Sequence, residues 1–215
     1  MKRQDNSIEQ IGNVPFRMGA LGSVYPQIRH LAAKAKSLEE AAEIFRLKKG
    51  LYVLSPQVSE KPFVMPLLAN HIYGPSYVSM ETALRYYRLI PEGVYSTISL
   101  TTGVTRSYKN KIGVFRYVHC DKGYFPIGIT VGNEAGVSFL IACREKALCD
   151  QIVFTPRLNL RYQSDVARYL DEDLRFDTDA LSDFDLDILR ACADKGKKKA
   201  SIIQLIKYIE NERGL

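Results

Sequence analysis

Seven side chains in the first quarter of the chain carry groups suited to holding a polyanion: Gln27, Arg29, His30 and Lys34, and then Arg46, Lys48 and Lys49. Arginine and lysine neutralise phosphates, while glutamine, arginine and histidine also present hydrogen-bonding groups that can read base edges. The second group brackets a turn in "EIFRLKKGLYVLS", residues 43 to 55, where two lysines and a glycine separate two apolar runs. Two readings of that stretch stand. It is a tight turn kept soluble by charge, or a hairpin whose tip meets phosphate.

Other chemistry is scarce. The "GS" at 22 and 23 matches the opening of a nucleotidyltransferase site, but that reaction needs an aspartate pair soon afterwards to hold magnesium, and the next carboxylate is Glu39. "DFDLD" at 183 to 187 spaces carboxylates as a calcium loop does, yet Ile188 stands where glycine is required, so an acidic helix start is the better reading. Gly128, Gly132 and Gly136 are too widely spaced for a dinucleotide loop and read as turn glycines. His119 and Cys120 are strand neighbours, which point to opposite faces and cannot act as a base and nucleophile. Glu145 and Asp150 share a helix but diverge by roughly 140° around it, which favours two separate structural bonds over an acid pair. The lysine run "KGKKK" at 195 to 199 reads as a solvated loop or as a phosphate contact before a helix. Cys120, Cys143, Cys149 and Cys192 lack metal-ligand spacing and read as reduced core thiols. No cofactor or metal is expected.

These groups must be positioned by regular elements. Val24, Ile28, Leu31, Ala35, Leu38 and Ala42 recur at steps of four and three, which predicts one helix over 23–44, with Ser23 as N-cap and Pro26 in its first turn. The period then changes to two, with Phe45 and Leu47 on one side and Arg46 and Lys48 on the other, and Gly50 allows the return into "LYVL". A helix followed at once by a basic-tipped hairpin is the second half of a winged helix-turn-helix, which sets a helix in the major groove and a wing beside it. "SPQVSEKP" at 55 to 62 reads as a linker. Beyond it, "FVMPLLANHIYG" and "SMETALRYYRLIP" read as helices, the second with Ser79 as N-cap. "VYSTISLTT", "KIGVFRYVHC", "FPIGITVG" and "VSFLIA" read as strands, the last two joined by "NEAG", and "REKALCDQIVF" returns to helical spacing. From about residue 163 the pattern is helical.

The expected architecture is therefore α+β: a winged helix-turn-helix domain over 1–57, then a mixed α/β domain over 58–215 whose C-terminal part, 163–215, is helical. A chain of 215 residues suits two such domains, and 46% hydrophobic and 25% charged residues exclude extensive disorder. A net charge of +6 favours a polyanionic partner. The longest apolar runs fall short of a membrane span, and "MKRQDNSIEQ" lacks the apolar centre of a signal peptide, so a cytoplasmic protein without membrane contact is expected.

Three stretches, "EIFRLKKGLYVLSP", "YVSMETALRYYRLIPEGVYSTISLTTG" and "REKALCDQIVF", together resemble the AbiEi-type antitoxins of bacterial toxin-antitoxin systems over roughly residues 40 to 155. "LDEDLRFDTDALSDFDLDIL" is similar to the helical end of such chains. The resemblance implies a transcriptional autoregulator whose first domain binds double-stranded DNA at its own operator, and whose partner is a nucleotidyltransferase-like toxin. A homodimer is compatible with it. The wing maps to residues 46 to 52, and the antitoxin-domain wording to Ser79, Glu81, Thr82, Glu145, Lys146 and Asp150, of which Ser79 is expected to cap and Glu145 and Asp150 to bond backbone groups. The chain departs from the family in its short leading region, residues 1–22, and in Ala42, where glycine is common. A protein-interaction module whose winged helix no longer binds DNA is the alternative. A nucleic-acid-processing enzyme is the third reading.

Overall fold

The computed structural model describes residues 8–91, 93 and 95–214, an α+β chain in which the change of period near residue 44 marks a helix giving way to a hairpin. A 3-10 turn (Ile8–Ile11) and a short strand β1 (Phe16–Arg17) lead into α1 (Met18–Val24) and α2 (Leu31–Glu40). Strands β2 (Ile44–Lys48) and β3 (Leu51–Leu54) follow. The helix expected over 23–44 is thus two helices. Pro26 lacks the N–H that would continue α1, and the chain turns at residues 25–30, where Ile28 N–H donates to Tyr25 O at 3.0 Å. Ser23 lies in the last turn of α1 and caps nothing; its hydroxyl donates back to Gly19 O at 3.4 Å.

The apolar spacing marks the inward face of α2 at Leu31, Ala35 and Leu38, but Ile28 lies in the turn and Ala42, past the end of α2, is exposed. Ala35 and Leu38 are buried and pack with Phe16, Leu21, Ile44, Tyr52 and Leu54 in a small core of the first unit. Between α2 and β2 the chain reverses at Ala42, whose φ of 56° lies in the left-handed region. A Cβ there costs roughly 1–2 kcal/mol, so Ala42→Gly is expected to stabilise the protein by about 1 kcal/mol, read as a raised urea midpoint with an unchanged slope.

β1, β3 and β2 form a small antiparallel sheet in that order. The register pairs Arg46 with Tyr52 but Lys48 with Leu51, so one extra residue, Leu47, is inserted between them as a bulge. Directly paired residues share a face, and the bulge therefore moves Lys48 off the face of Arg46. It joins Phe45, Leu51 and Val53 on the side turned toward the rest of the chain. Leu47, Leu51 and Val53 belong to the larger core, and the Phe45 ring meets Phe63 edge-on at 5.4 Å.

The stretch read as a linker is mostly a one-turn helix, α3 (Pro56–Ser59), capped by Ser55, which accepts from Val58 N–H at 3.3 Å. The second unit then runs α4 (Met65–Ile72), β4 (Ser76–Val78), α5 (Met80–Tyr86), β5 (Thr97–Thr101), β6 (Arg106–Lys109), β7 (Val114–His119), β8 (Ile129–Glu134), β9 (Val137–Ala142) and α6 (Arg144–Phe154). The strands make one mixed sheet, ordered β6-β7-β5-β4-β9-β8. The hairpin read in "NEAG" is present, with Ala135 and Gly136 both at positive φ. β4 and β6 were not expected: each is short, and β6 is polar throughout.

Helices cover both faces of the sheet. On one, Tyr117 donates to Ala69 O of α4 at 2.6 Å; on the other, Tyr77 donates to Asp150 of α6 at 3.1 Å. The helical end contributes α7 (Gln163–Arg168), α8 (Leu186–Lys195) and α9 (Lys199–Glu212), with a π turn at Tyr169–Asp173 and a 3-10 turn at Thr178–Asp183. Asp185 accepts from Asp187 N–H at 2.9 Å, so the carboxylates of "DFDLD" begin a helix as read. In the lysine run, Lys198 closes the C-terminus of α6 by donating to Ile152 O at 2.9 Å and Thr155 O at 2.6 Å.

All four cysteines are free, and Cys120, Cys149 and Cys192 are buried. Burial pushes the thiols of Cys120 and Cys143 up to about 12. His119, at the end of β7, is exposed, while Cys120, just past that end, is buried. Among the described residues no helix is long and apolar enough to cross a membrane, and no cluster of His, Cys, Asp or Glu could hold a metal ion.

Candidate nucleic-acid interface

α1 and α2 are joined by the turn over residues 25–30, and the β2–β3 hairpin follows directly, so helix, turn, helix and hairpin are consecutive. With Ala35 and Leu38 facing the core, the outward positions of α2 are Ala32, Ala33, Lys36, Ser37 and Glu40, all exposed. Lys36 and Glu40 form a loose ion pair at 3.7 Å. Ser37 escaped notice in the sequence because the helix was read as starting too early. Counting outward from the anchors Ala35 and Leu38 would have found it.

The seven expected contact residues separate into two groups. Gln27, Arg29 and His30 lie in the turn before α2 and not on a helix; they are exposed, and their side chains make no hydrogen bond or ion pair with described residues. Lys49, exposed at the hairpin tip, is in the same state. The other three are engaged within the protein. Lys34 lies over the Tyr25 ring at 4.8 Å. Arg46 donates to Glu39 at 2.6 Å and covers Tyr52 at 5.7 Å, and the hydrogen bond to Glu39 raises the guanidinium pKa above its ordinary value. Lys48 donates to Ile72 O at the C-terminal end of α4, a position where the helix dipole also favours a cation. The bulge at Leu47 is the physical reason that Lys48 points inward. Unspent positive charge therefore remains at Arg29 and Lys49, and Arg17 of β1, which pairs with Leu51, is exposed as well.

Lys48 and Lys49 consequently differ. Lys48→Ala removes a charged donor from a half-buried helix end and is expected to cost about 1–2 kcal/mol, whereas Lys49→Ala should change stability by less than about 0.5 kcal/mol. Urea denaturation of the two single variants, side by side, checks this.

The residues matched to the antitoxin wording meet in the second unit, where Lys146 and Asp150 are fully buried and lie 2.9 Å apart. Ser79 donates to Asp150 at 2.6 Å and Tyr77 at 3.1 Å. The Lys146 ammonium also donates to Tyr124 O at 3.3 Å and rests on the Tyr124 ring. Burial, and then the Asp150 charge, push the Tyr77 phenol far above its ordinary range. Ser79 does precede α5, but its hydroxyl is spent on Asp150 and not on a cap. Asp150 bonds side chains, not the backbone groups expected of it. Glu145 behaves as expected, accepting from Asp185 N–H at 3.2 Å. Glu81 accepts from Gln151 at 3.4 Å, and Thr82 accepts from Ile98 N–H at 2.9 Å while donating to Ser96 O. The Lys146–Asp150 pair lies within α6, while the bonds from Tyr77 of β4, from Ser79 at the start of α5 and between Glu81 of α5 and Gln151 of α6 join elements, so the group works as an internal clamp across β4, α5 and α6.

No known protein-family model matches the chain, and no curated protein matches it either.

Proposed function

We propose that the protein is a DNA-binding transcriptional autoregulator of the antitoxin class, with residues 8–54 acting as a winged helix-turn-helix. The observation that carries this reading is the consecutive order of α1, turn, α2 and antiparallel hairpin, with exposed, unspent groups at the turn (Gln27, Arg29, His30) and at the hairpin tip (Lys49). In this arrangement α2 enters the major groove through Ala33, Lys36 and Ser37, and the turn and wing hold phosphates on either side. The exposed alanines allow close approach, and Ser37 is the short polar group best placed to reach a base edge. The AbiEi-like wording adds the cytoplasmic toxin-antitoxin context and a nucleotidyltransferase-like toxin as partner. A homodimer would match a two-fold symmetric operator.

One observation favours a second reading. The wing hairpin packs one whole face, Leu47, Leu51 and Val53, into the larger core, so it already serves as a protein interface within the chain. A module that binds only protein would use the same exposed turn for a partner.

Titration of a labelled duplex from the gene's own upstream region, against a scrambled duplex at the same salt, separates the readings. The regulator reading expects a preference on the order of 10³ or more. Equal affinities for the two duplexes reject sequence-specific binding, and no binding to either at low salt supports the protein-only module.

A further inference from the structure

A cleft of about 540 Å³ opens between the two units, lined by Lys36, Glu39 and Glu40 of α2, by Ala42, Ile44, Phe45 and Arg46, and by Asn110 and Lys111 from the turn between β6 and β7. Its volume falls within the range of small-molecule sites, roughly 300–1,000 Å³, and its position between two packed units is where such sites concentrate. The ring of Phe45, half-buried and fixed by Phe63, contributes apolar surface.

The charges lining the cleft can be paired off. Arg46 is satisfied by Glu39 at 2.6 Å, and Lys36 by Glu40 at 3.7 Å. Lys111 is exposed and has no carboxylate partner among the described residues, so one positive charge is left over. Its backbone is held in place. The Asn110 amide donates to Leu47 O at 3.0 Å, across the junction of the two units, and its carbonyl oxygen accepts from Ile112 N–H at 2.9 Å and Gly113 N–H at 3.2 Å. The turn that carries Lys111 is thereby anchored to the wing strand before any ligand arrives, which lowers the ordering cost of binding.

We propose that this cleft binds a small organic anion, with an aromatic or branched apolar body against Phe45 and a carboxylate or phosphate on Lys111. It adjoins the proposed DNA surface and shares Lys36 with it, but its anion-holding group, Lys111, belongs to the second unit and is not among the proposed DNA contacts.

Benzoate, salicylate and phenyl phosphate serve as probes in 15N-edited NMR titrations of the full chain without DNA, with benzamide as the uncharged control. The expected result is saturable, millimolar-range shifts at Phe45, Arg46 and Lys111 for at least one of the anions, little change with benzamide, and at least a tenfold weakening in Lys111→Glu. Comparing the carboxylates with the phosphate identifies the preferred headgroup. Lys111 lies in an exposed turn, so an unchanged melting temperature for Lys111→Glu is expected, and Lys111→Ala provides a second variant. Shifts no larger than those from benzamide, or binding undiminished in both variants, overturn the proposal. Because DNA is absent from the titration, its failure leaves the regulator reading standing, and a failure to bind the operator leaves this site standing.

Discussion

Replacing Asp150 with alanine is expected to destabilise the protein by about 3–5 kcal/mol, the usual cost of leaving one member of a buried ion pair alone. Three groups converge on Asp150: the Lys146 ammonium, ion-paired at 2.9 Å, the Ser79 hydroxyl, which donates at 2.6 Å, and the Tyr77 hydroxyl, which donates at 3.1 Å. Its loss strands a lysine with no exposed surface and two buried hydroxyls. A domain is stable by only about 5–15 kcal/mol, so the variant should be poorly folded at 37 °C. The double variant Asp150→Leu with Lys146→Met removes both charges and is expected to recover much of the loss. Equilibrium urea unfolding of both variants provides the comparison, and equal losses in the two would show that packing, and not charge, dominates the site.

Leu51→Ala is the second large effect, expected at about 2–5 kcal/mol as for other buried leucines. Leu51 is on β3 of the first unit but is 5% exposed because its side chain enters the larger core. The β2–β3 hairpin is thus shared between the two units, and they should unfold together. A single transition, coincident by far-ultraviolet circular dichroism and by tyrosine fluorescence, is expected for the wild-type chain. In Leu51→Ala the first unit is expected to loosen first, splitting the two signals. Two separate transitions already in the wild-type protein would contradict a docked hairpin.

Much of this was legible in the residues. The apolar steps that end in Ala35 and Leu38, the change of period at Ile44, and Gly50 specify a helix leading into a hairpin, because each depends on local geometry alone. What escaped depends on position in three dimensions. Pro26 permits either a first helical turn or a break, and only the packing of α1 against α2 decides for the break. The bulge at Leu47 carries no sequence signature, yet it reverses the direction of Lys48 and removes it from the outward set. β4, three residues long, and β6, four, are too short to show a period, and their neighbours in the sheet hold them. In "SMETAL", Ser79 looks like a cap by spacing. Its actual partner, Asp150, is far off in the chain, and no local rule could have named it.

The regulator account rests on the charges that remain unspent at Arg29 and Lys49. Its most direct test is the salt dependence of operator binding by the wild-type protein and by Arg29→Ala with Lys49→Ala. Each phosphate contact contributes about −0.9 to the slope of log affinity against log salt. The account predicts a slope shallower by about two units in the double variant, with stability unchanged, while Lys48→Ala leaves the slope as it was. A slope identical in the wild-type protein and the double variant would contradict the account.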